Sequence, residues 1–217
     1  MTKSAEPSEI AAAYNDWAET YDSVQNLTRD LAAEVLRQAR LDLKSRRVIE
    51  VGCGTGRNTV WLAERAAEIV GLDFSEAMLV RARTHVNDPR VRFIQHDARI
   101  TWPLANSSAD VVIAMLILEH VEHLETVFVE AARVLTTGGQ CFVCELHPMR
   151  QLSGGQAQFS NAKTGERTCV TAFLHRVSDY VNAGLAAGFE LQHLGEWGDA
   201  DAEANSQPRL LSLLFRL

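Results

Sequence analysis

Val48-Ile-Glu-Val-Gly-Cys-Gly-Thr-Gly-Arg-Asn-Thr59 is an apolar run that breaks into three alternating glycines and then turns helical in character. That order predicts a strand, a tight turn and a helix start. Gly52, Gly54 and Gly56 lack a Cβ, so the turn can take unusual dihedrals and lie flush against a ligand at the carboxyl end of the strand. A dinucleotide fingerprint would put its third glycine where Arg57 stands, and a phosphate-binding loop would need Gly-Lys-Ser/Thr where Gly56-Arg57-Asn58 follows. The spacing GxGxG therefore disfavours phosphate cradling.

Outward from this turn the chain alternates. Apolar runs of strand character occupy 47–51, 67–72, 91–95, 109–116 and 140–146, and helical periodicity fills 58–65, 76–85 and 124–134 between them. Such a β-α rhythm implies a parallel sheet with right-handed crossovers and helices on both faces. Two amphipathic helices, 8–19 and 31–39, precede it, and the first carries Trp17 as a packing residue. The polar stretch 148–167 reads as a long loop or lid. A helix over 178–187, capped by Ser178 and ended by Gly188, then leads to strands 190–195 and 210–217.

At 217 residues, with 47% hydrophobic and 23% charged residues, the composition is that of an ordinary globular protein, and one domain is expected. A net charge of −7 argues against a nucleic-acid or anionic-membrane surface. No apolar stretch approaches the roughly 20 residues that span a bilayer. The amino terminus lacks the apolar core of a signal peptide, so a cytoplasmic location is expected. Cys141 and Cys144, three apart in a strand, should sit on opposite faces of the sheet and be structural; neither a redox nor a zinc site is expected from them.

In a doubly wound sheet the ligand lies across the carboxyl ends of the strands. Asp73, 21 residues after Gly52, ends the second strand where a carboxylate would accept from a ribose hydroxyl pair, because Ser75 already supplies the cap for the helix beginning at Glu76. Asp97 follows the third strand and could accept from an adenine amino group. Glu50, a carboxylate inside the first strand, must find donors; it could brace the turn or meet a cationic group.

Glu50-Val-Gly-Cys-Gly-Thr-Gly56, Leu72-Asp-Phe-Ser-Glu-Ala-Met78, Gln95-His-Asp-Ala98, the segment 110–120 and Arg133-Val-Leu-Thr-Thr-Gly-Gly139 resemble, in order, the motifs of class I S-adenosylmethionine-dependent methyltransferases over about two thirds of the chain. Tyr14-Asn-Asp-Trp-Ala-Glu-Thr-Tyr-Asp22 is similar to a segment of the ubiquinone- and menaquinone-type small-molecule enzymes. The resemblance implies a Rossmann-like, doubly wound, mostly parallel seven-stranded sheet. It divides the chain into an N-terminal helical lid (1–45), a cofactor-binding core (46–147) and a substrate-side region (148–217). It implies S-adenosylmethionine as cofactor and S-adenosylhomocysteine as product, with the glycine turn and Glu50 at the methionine part. Asp73 would hold the ribose, Phe74 and Met78 would flank the adenine, and Asp97 with Ala98 would meet its amino edge. Tyr14, Tyr21 and Arg29 would close over the methionine carboxylate, and Met115 would line the same pocket. Asn15 stands where the family usually has Asp, and Thr136-Thr137 replaces a common Lys-Pro; neither position makes the chemistry.

Methyl transfer from a sulfonium is an in-line displacement, so alignment and exclusion of water supply much of the rate. A base is needed only if the acceptor must lose a proton. His120 and His147, after the fourth and fifth strands, are the candidates. Glu119, His120 and His123 have metal-like spacing, but acidic ligands after the fourth strand are missing, and no metal is expected. Residues of 145–151 with Gln156 and Phe159 would lie over the acceptor, and His175, Tyr180, Glu196 and Trp197 would complete its wall. The expected acceptor is a small aromatic or amine-bearing molecule, with the oligomeric state open. The competing readings are a nicotinamide-dependent oxidoreductase, a tRNA or protein methyltransferase, and a non-catalytic cofactor-binding protein.

Overall fold

The computed structural model describes residues 7–160, 165–199 and 206–217. The amino-terminal stretch 1–6 and part of the 148–167 loop discussed above lie outside the described residues.

Two helices, α1 (Pro7–Trp17) and α2 (Leu27–Gln38), precede β1 (Arg47–Val51), and then α3 (Arg57–Ala63), β2 (Glu68–Asp73), α4 (Glu76–His85) and β3 (Val91–Gln95) follow. The chain returns through β4 (Ala109–Met115), a 3₁₀ turn (Leu118–His120), α5 (Leu124–Val134) and β5 (Leu135–Leu146). After β5 come α6 (Pro148–Leu152), the short pair β6 (Gln158–Ser160) and β7 (Arg167–Cys169), α7 (Val177–Ala186), β8 (Glu190–Trp197) and β9 (Leu210–Arg216).

The main sheet has seven strands in the order β3-β2-β1-β4-β5-β9-β8. The pairs among β1 to β5 are parallel, and β9 runs antiparallel to both β5 and β8. The mostly parallel, seven-stranded Rossmann-like sheet expected from the sequence is thus the observed one. Since β2 and β4 flank β1 on opposite sides, the chain changes direction at β1 and opens a crevice at its carboxyl end, where ligands settle in such sheets.

Consecutive strand residues serve opposite cores, which is why these strands read as unbroken apolar runs. Ile49, Val112, Cys141 and Val143 join Phe128 of α5 and Tyr180 of α7 in one core. Val48, Val111, Phe142 and Cys144 join Leu36 of α2 and Leu62 of α3 in the other. Cys141 and Cys144 therefore lie on opposite faces, as expected.

Local departures have local causes. Helix α2 begins at Leu27, four residues earlier than the apolar periodicity suggests, because the Asn26 side chain accepts from the Arg29 N–H and caps it. Helix α7 is entered at Arg176 instead of Ser178, since the Asp179 carboxylate accepts from the Arg176 N–H at 2.7 Å. The 148–167 stretch is not all loop: His147 accepts from the Met149 N–H and Pro148 occupies the first turn of α6, a position that needs no donor.

Candidate functional site

The glycine turn folds over the end of β2, with the Gly52 and Cys53 N–H groups both donating to the Leu72 carbonyl at 2.8 and 3.0 Å. Gly52 (φ +71°) has no room for a side chain, since a Cβ would come within 2.8 Å of Ile117 Cδ1. Gly54 (φ +54°) is the opposite case: nothing lies within 4 Å of where its Cβ would stand, so the backbone there is bare toward the crevice. Its N–H donates to Asp73 Oδ2 at 2.8 Å, and the Ser75 N–H donates to Oδ1 at 2.9 Å. Asp73 is buried, and that burial pushes its carboxyl up to about 6 despite both donors. Ser75 also accepts from the Met78 N–H as N-cap of α4 and donates to Asn15 Oδ1 at 2.7 Å. Asn15, the departure from the family pattern, thereby ties α1 to α4 with the oxygen that an aspartate would also offer.

Two cavities open above the strand ends and share Tyr14, Tyr21 and Leu116 as a partition. Of the residues named from sequence, Tyr14, Tyr21, Gly52, Gly54, Asp73, Phe74, Met78, Asp97, Ala98, Met115 and His120 line the first cavity. Asp97 is held there by a bidentate pair with Arg99 at 2.7–2.8 Å, and, against the opposing pull of partial burial, these bonds keep its carboxyl below the usual range. Sequence reasoning passed over His96, which also lines this cavity and carries a buried, unpartnered Nε2. The position between Gln95 and Asp97 was the available signal.

Four of the named residues lie elsewhere. Glu50 is under the turn, where Oε2 accepts from Thr59 Oγ1 at 2.5 Å and burial raises its carboxyl to about 8; it braces α3 against β1. Gly56 (φ +80°) begins α3 and lets α3 approach α4, since a Cβ would stand 3.2 Å from Ala82. Arg29 lines the second cavity, its guanidinium donating to the Tyr21 and Val24 carbonyls and lying 4.0 Å from the Tyr21 ring centroid. His147 lines neither cavity: it caps α6 through Nδ1, and its Nε2 pairs with Glu196 at 2.9 Å.

The expected acceptor wall also changes. Phe159 is stacked on Trp17 at 5.1 Å, His175 Nε2 donates to the Val121 carbonyl, Tyr180 is in the core, and Trp197 donates to Ser212. None of these four, nor Glu196, lines either cavity. The second cavity, of about 260 Å³, keeps Arg150 and Gln156 of the residues expected there and adds Glu119 and Arg209, with Asn26 and Thr28 from the start of α2.

His120 sits at the partition. Its Nδ1 is 2.7 Å from the Thr171 carbonyl, an acceptor only, so Nδ1 carries the proton and Nε2 accepts from the Tyr14 hydroxyl at 2.7 Å. Burial lowers the imidazole to about 4 and raises the Tyr14 phenol well above its ordinary value. The neighbouring Glu119, also buried, is raised to about 7. Glu145 fixes the loop that carries them: its Oε1 accepts from the Ile117 and Leu118 N–H groups at 3.0 Å, just past Leu116, which holds a left-handed φ of +56°. Among the described residues no cluster of three or more His, Cys, Asp or Glu side chains could hold a metal.

Comparison with known proteins decides the family. The methyltransferase-domain profile matches residues 49–143, from β1 into β5. An uncharacterized methyltransferase of Emericella nidulans is 30% identical over 84% of this chain and 76% of its own length. The chain belongs to the S-adenosylmethionine-dependent methyltransferases. Other relatives of this methyltransferase include a demethylmenaquinone methyltransferase of Clavibacter sepedonicus, 26% identical over 96% of this chain and 88% of that one. The crystal structure of an S-adenosylmethionine-dependent methyltransferase from Mesorhizobium loti superposes with a TM-score of 0.74 at 26% identity, covering 87% and 99% of the two chains. The cofactor is therefore S-adenosylmethionine, and the nicotinamide reading is set aside. The residues of the first cavity suit that cofactor: bare backbone at Gly54, a buried carboxylate with lone pairs to spare at Asp73, apolar and aromatic flanks at Phe74, Met78 and Ala98, and a second acid at Asp97. No helix among the described residues is long and apolar enough to cross a membrane.

Proposed function

We propose that the first cavity binds S-adenosylmethionine, that the second receives the methyl acceptor, and that Tyr14 closes the space between them. The observation that carries this reading is Asp73: a buried carboxylate lining the cavity beside a glycine whose side-chain volume is empty. Burying such a group costs free energy unless a ligand supplies further donors, and a ribose diol does so.

When bound, the cofactor supplies a methyl group on a positively charged sulfur. The chain's own residues align, enclose and handle protons. Gly52 and Gly54 let the backbone approach, Asp73 accepts from the ribose, and Phe74 and Met78 pack on the base. Asp97 takes the amino edge, while Tyr14 and Tyr21, held by the N-terminal helices acting as a lid, keep water out. Arg29, on the second-cavity side of the partition against Tyr21, would reach across it for the methionine carboxylate. His120 is a positioning residue, since its Nε2 already holds the Tyr14 hydroxyl and its low proton affinity makes it a poor base near neutral pH. Glu119, which lines the acceptor cavity with a carboxyl raised to about 7, is the better-placed group to take a proton from an acceptor that must lose one. A small molecule in the cytoplasm fits this enclosed space better than a nucleic acid, and the whole chain acts as one domain.

Parallel calorimetric titrations with S-adenosylmethionine, S-adenosylhomocysteine and NAD, repeated on Asp73→Ala, test the assignment. S-adenosylhomocysteine binding that the substitution abolishes supports it. Unchanged binding in the variant removes Asp73, and with it this cavity, from the cofactor site.

A further inference from the structure

The second cavity is unevenly charged. Arg150 from α6 and Arg209, just ahead of β9, both line it, and among the described residues they share one carboxylate, Asp199. Asp199 is bidentate to Arg209 at 2.5 and 2.6 Å and 3.5 Å from the Arg150 guanidinium. Arg150 Nε is buried and has no hydrogen-bond partner. Arg29, the third guanidinium on this wall, is met by two backbone carbonyls and has a buried, unpartnered Nε of its own. Carbonyl oxygens satisfy donors but do not cancel charge. Among the described residues, this wall thus holds three guanidinium charges, two once Arg29 is paired with the cofactor, against Asp199 and Glu119, and the latter is raised toward neutrality by burial. Thr28 adds a hydroxyl 3.2 Å from Arg209.

The aromatic faces that would otherwise hold a cationic amine are already taken. Arg29 covers Tyr21 at 4.0 Å and lies 5.9 Å from Trp17, whose ring also stacks on Phe159. A positively charged acceptor would meet guanidinium groups on entering, whereas a carboxylate or phosphate would find donors in a planar fork.

We infer that the methyl acceptor is a small molecule bearing an anionic oxygen group, which Arg150 grips at the far side of the second cavity from the cofactor. This rests on the two-cavity reading above and departs from the amine-bearing half of the aromatic or amine-bearing acceptor expected from sequence. With Arg29 given to the methionine carboxylate, Arg150 remains for the acceptor.

The test uses binding, so it needs no knowledge of the natural acceptor. Protein saturated with S-adenosylhomocysteine is titrated calorimetrically with benzoate and with phenyl phosphate, each against a neutral counterpart, benzamide and benzyl alcohol. At least one anion should bind ten times more tightly than its counterpart. Arg150→Gln should erase that preference while leaving S-adenosylhomocysteine affinity within twofold, and Arg150→Lys should keep part of it. Asp199→Asn, which frees both guanidinium groups, should strengthen anion binding and serves if Arg150→Gln does not fold. Which anion wins separates a carboxylate from a phosphate acceptor. Equal binding of anion and neutral counterpart, binding of neither anion, or a preference that survives Arg150→Gln and ignores Asp199→Asn overturns the inference alone. Failure of S-adenosylhomocysteine to bind in the first step overturns the underlying two-cavity reading.

Discussion

Replacing Asp73 by Asn separates what this carboxylate does for the ligand from what it costs the fold. In the folded chain its two oxygens accept from the Gly54 and Ser75 N–H groups. A hydrogen bond to a charged acceptor contributes about 1.5–3 kcal/mol. An asparagine keeps one acceptor oxygen and loses the charge, so a bound ribose diol should lose roughly 2–4 kcal/mol, which is about 30- to 1000-fold in Kd. The unliganded protein should respond differently. Burial raises Asp73 from 3.8 to about 6, so the ionised form opposes folding by roughly 3 kcal/mol above pH 6. Asparagine removes that penalty but orphans one backbone N–H, at about 1–3 kcal/mol. The two nearly cancel, and Tm at pH 8 should move by less than about 5 °C. Calorimetric titration with S-adenosylhomocysteine beside a thermal melt reads both quantities. An affinity within threefold of wild type, or a loss that comes only with a collapsed Tm, would refute the reasoning.

Gly54→Ala should fold with a penalty of about 1–2 kcal/mol for its left-handed φ, yet lose S-adenosylhomocysteine affinity at least tenfold, because the added methyl enters space the ligand needs; titration and melting of the same sample check this. Glu145 is buried and raised from 4.5 to about 8, so the stability it contributes is present below pH 4.5 and lost as pH rises through 8. Glu145→Gln keeps an oxygen for the Ile117 and Leu118 N–H groups, and should match wild type at pH 5 but exceed it by on the order of 2–4 kcal/mol at pH 9. Parallel denaturant titrations would show the gap opening or staying shut. His120 should remain the neutral Nδ1–H tautomer down to about pH 4, visible in its imidazole nitrogen shifts, and titration near 6.5 would show that the ring is not desolvated as described.

The sheet was legible because its strands are buried on both faces, so each reads as a continuous apolar run ending in a turn residue that the fold requires. Ser75 could be read as the cap of α4, leaving Asp73 to line the cavity, from their order alone, because a helix N-cap has a fixed offset from the first turn. The lining of the second cavity was legible only in part, at Arg150 and Gln156, and the rest was hidden by distance. Thr28 and Arg209 are brought together across 181 residues, and Asp199 reaches Arg150 from another segment again. No spacing rule links such positions. His147 misled for a related reason: its place after β5 was right, but the following Pro148 signals a helix start, and a residue before such a start is claimed as its cap. Glu119 was read only as part of a metal-like spacing with His120 and His123. Its proton affinity comes from burial, which the sequence of a 3₁₀ turn does not reveal.

The ends of the four central strands carry one buried acid each: Glu50 in β1, Asp73 ending β2, Glu119 just past β4 and Glu145 in β5. Burial raises all four, to about 8, 6, 7 and 8 in that order. Near pH 7 this group is therefore only partly ionised, and its remaining protons are held because the charges would otherwise lie unsolvated and close to one another. A cation entering the crevice reverses that balance by favouring the charged forms. S-adenosylmethionine brings a sulfonium, and S-adenosylhomocysteine is the same molecule without it. Binding of the first should release more protons than binding of the second, and the affinity ratio should shift toward the sulfonium as pH rises from 6 to 8. Calorimetry in buffers of different ionisation enthalpy measures the proton count directly. Equal counts for the two ligands would mean that the acids do not respond to the sulfonium charge. Unequal counts would make them the means by which the site prefers reactant over product.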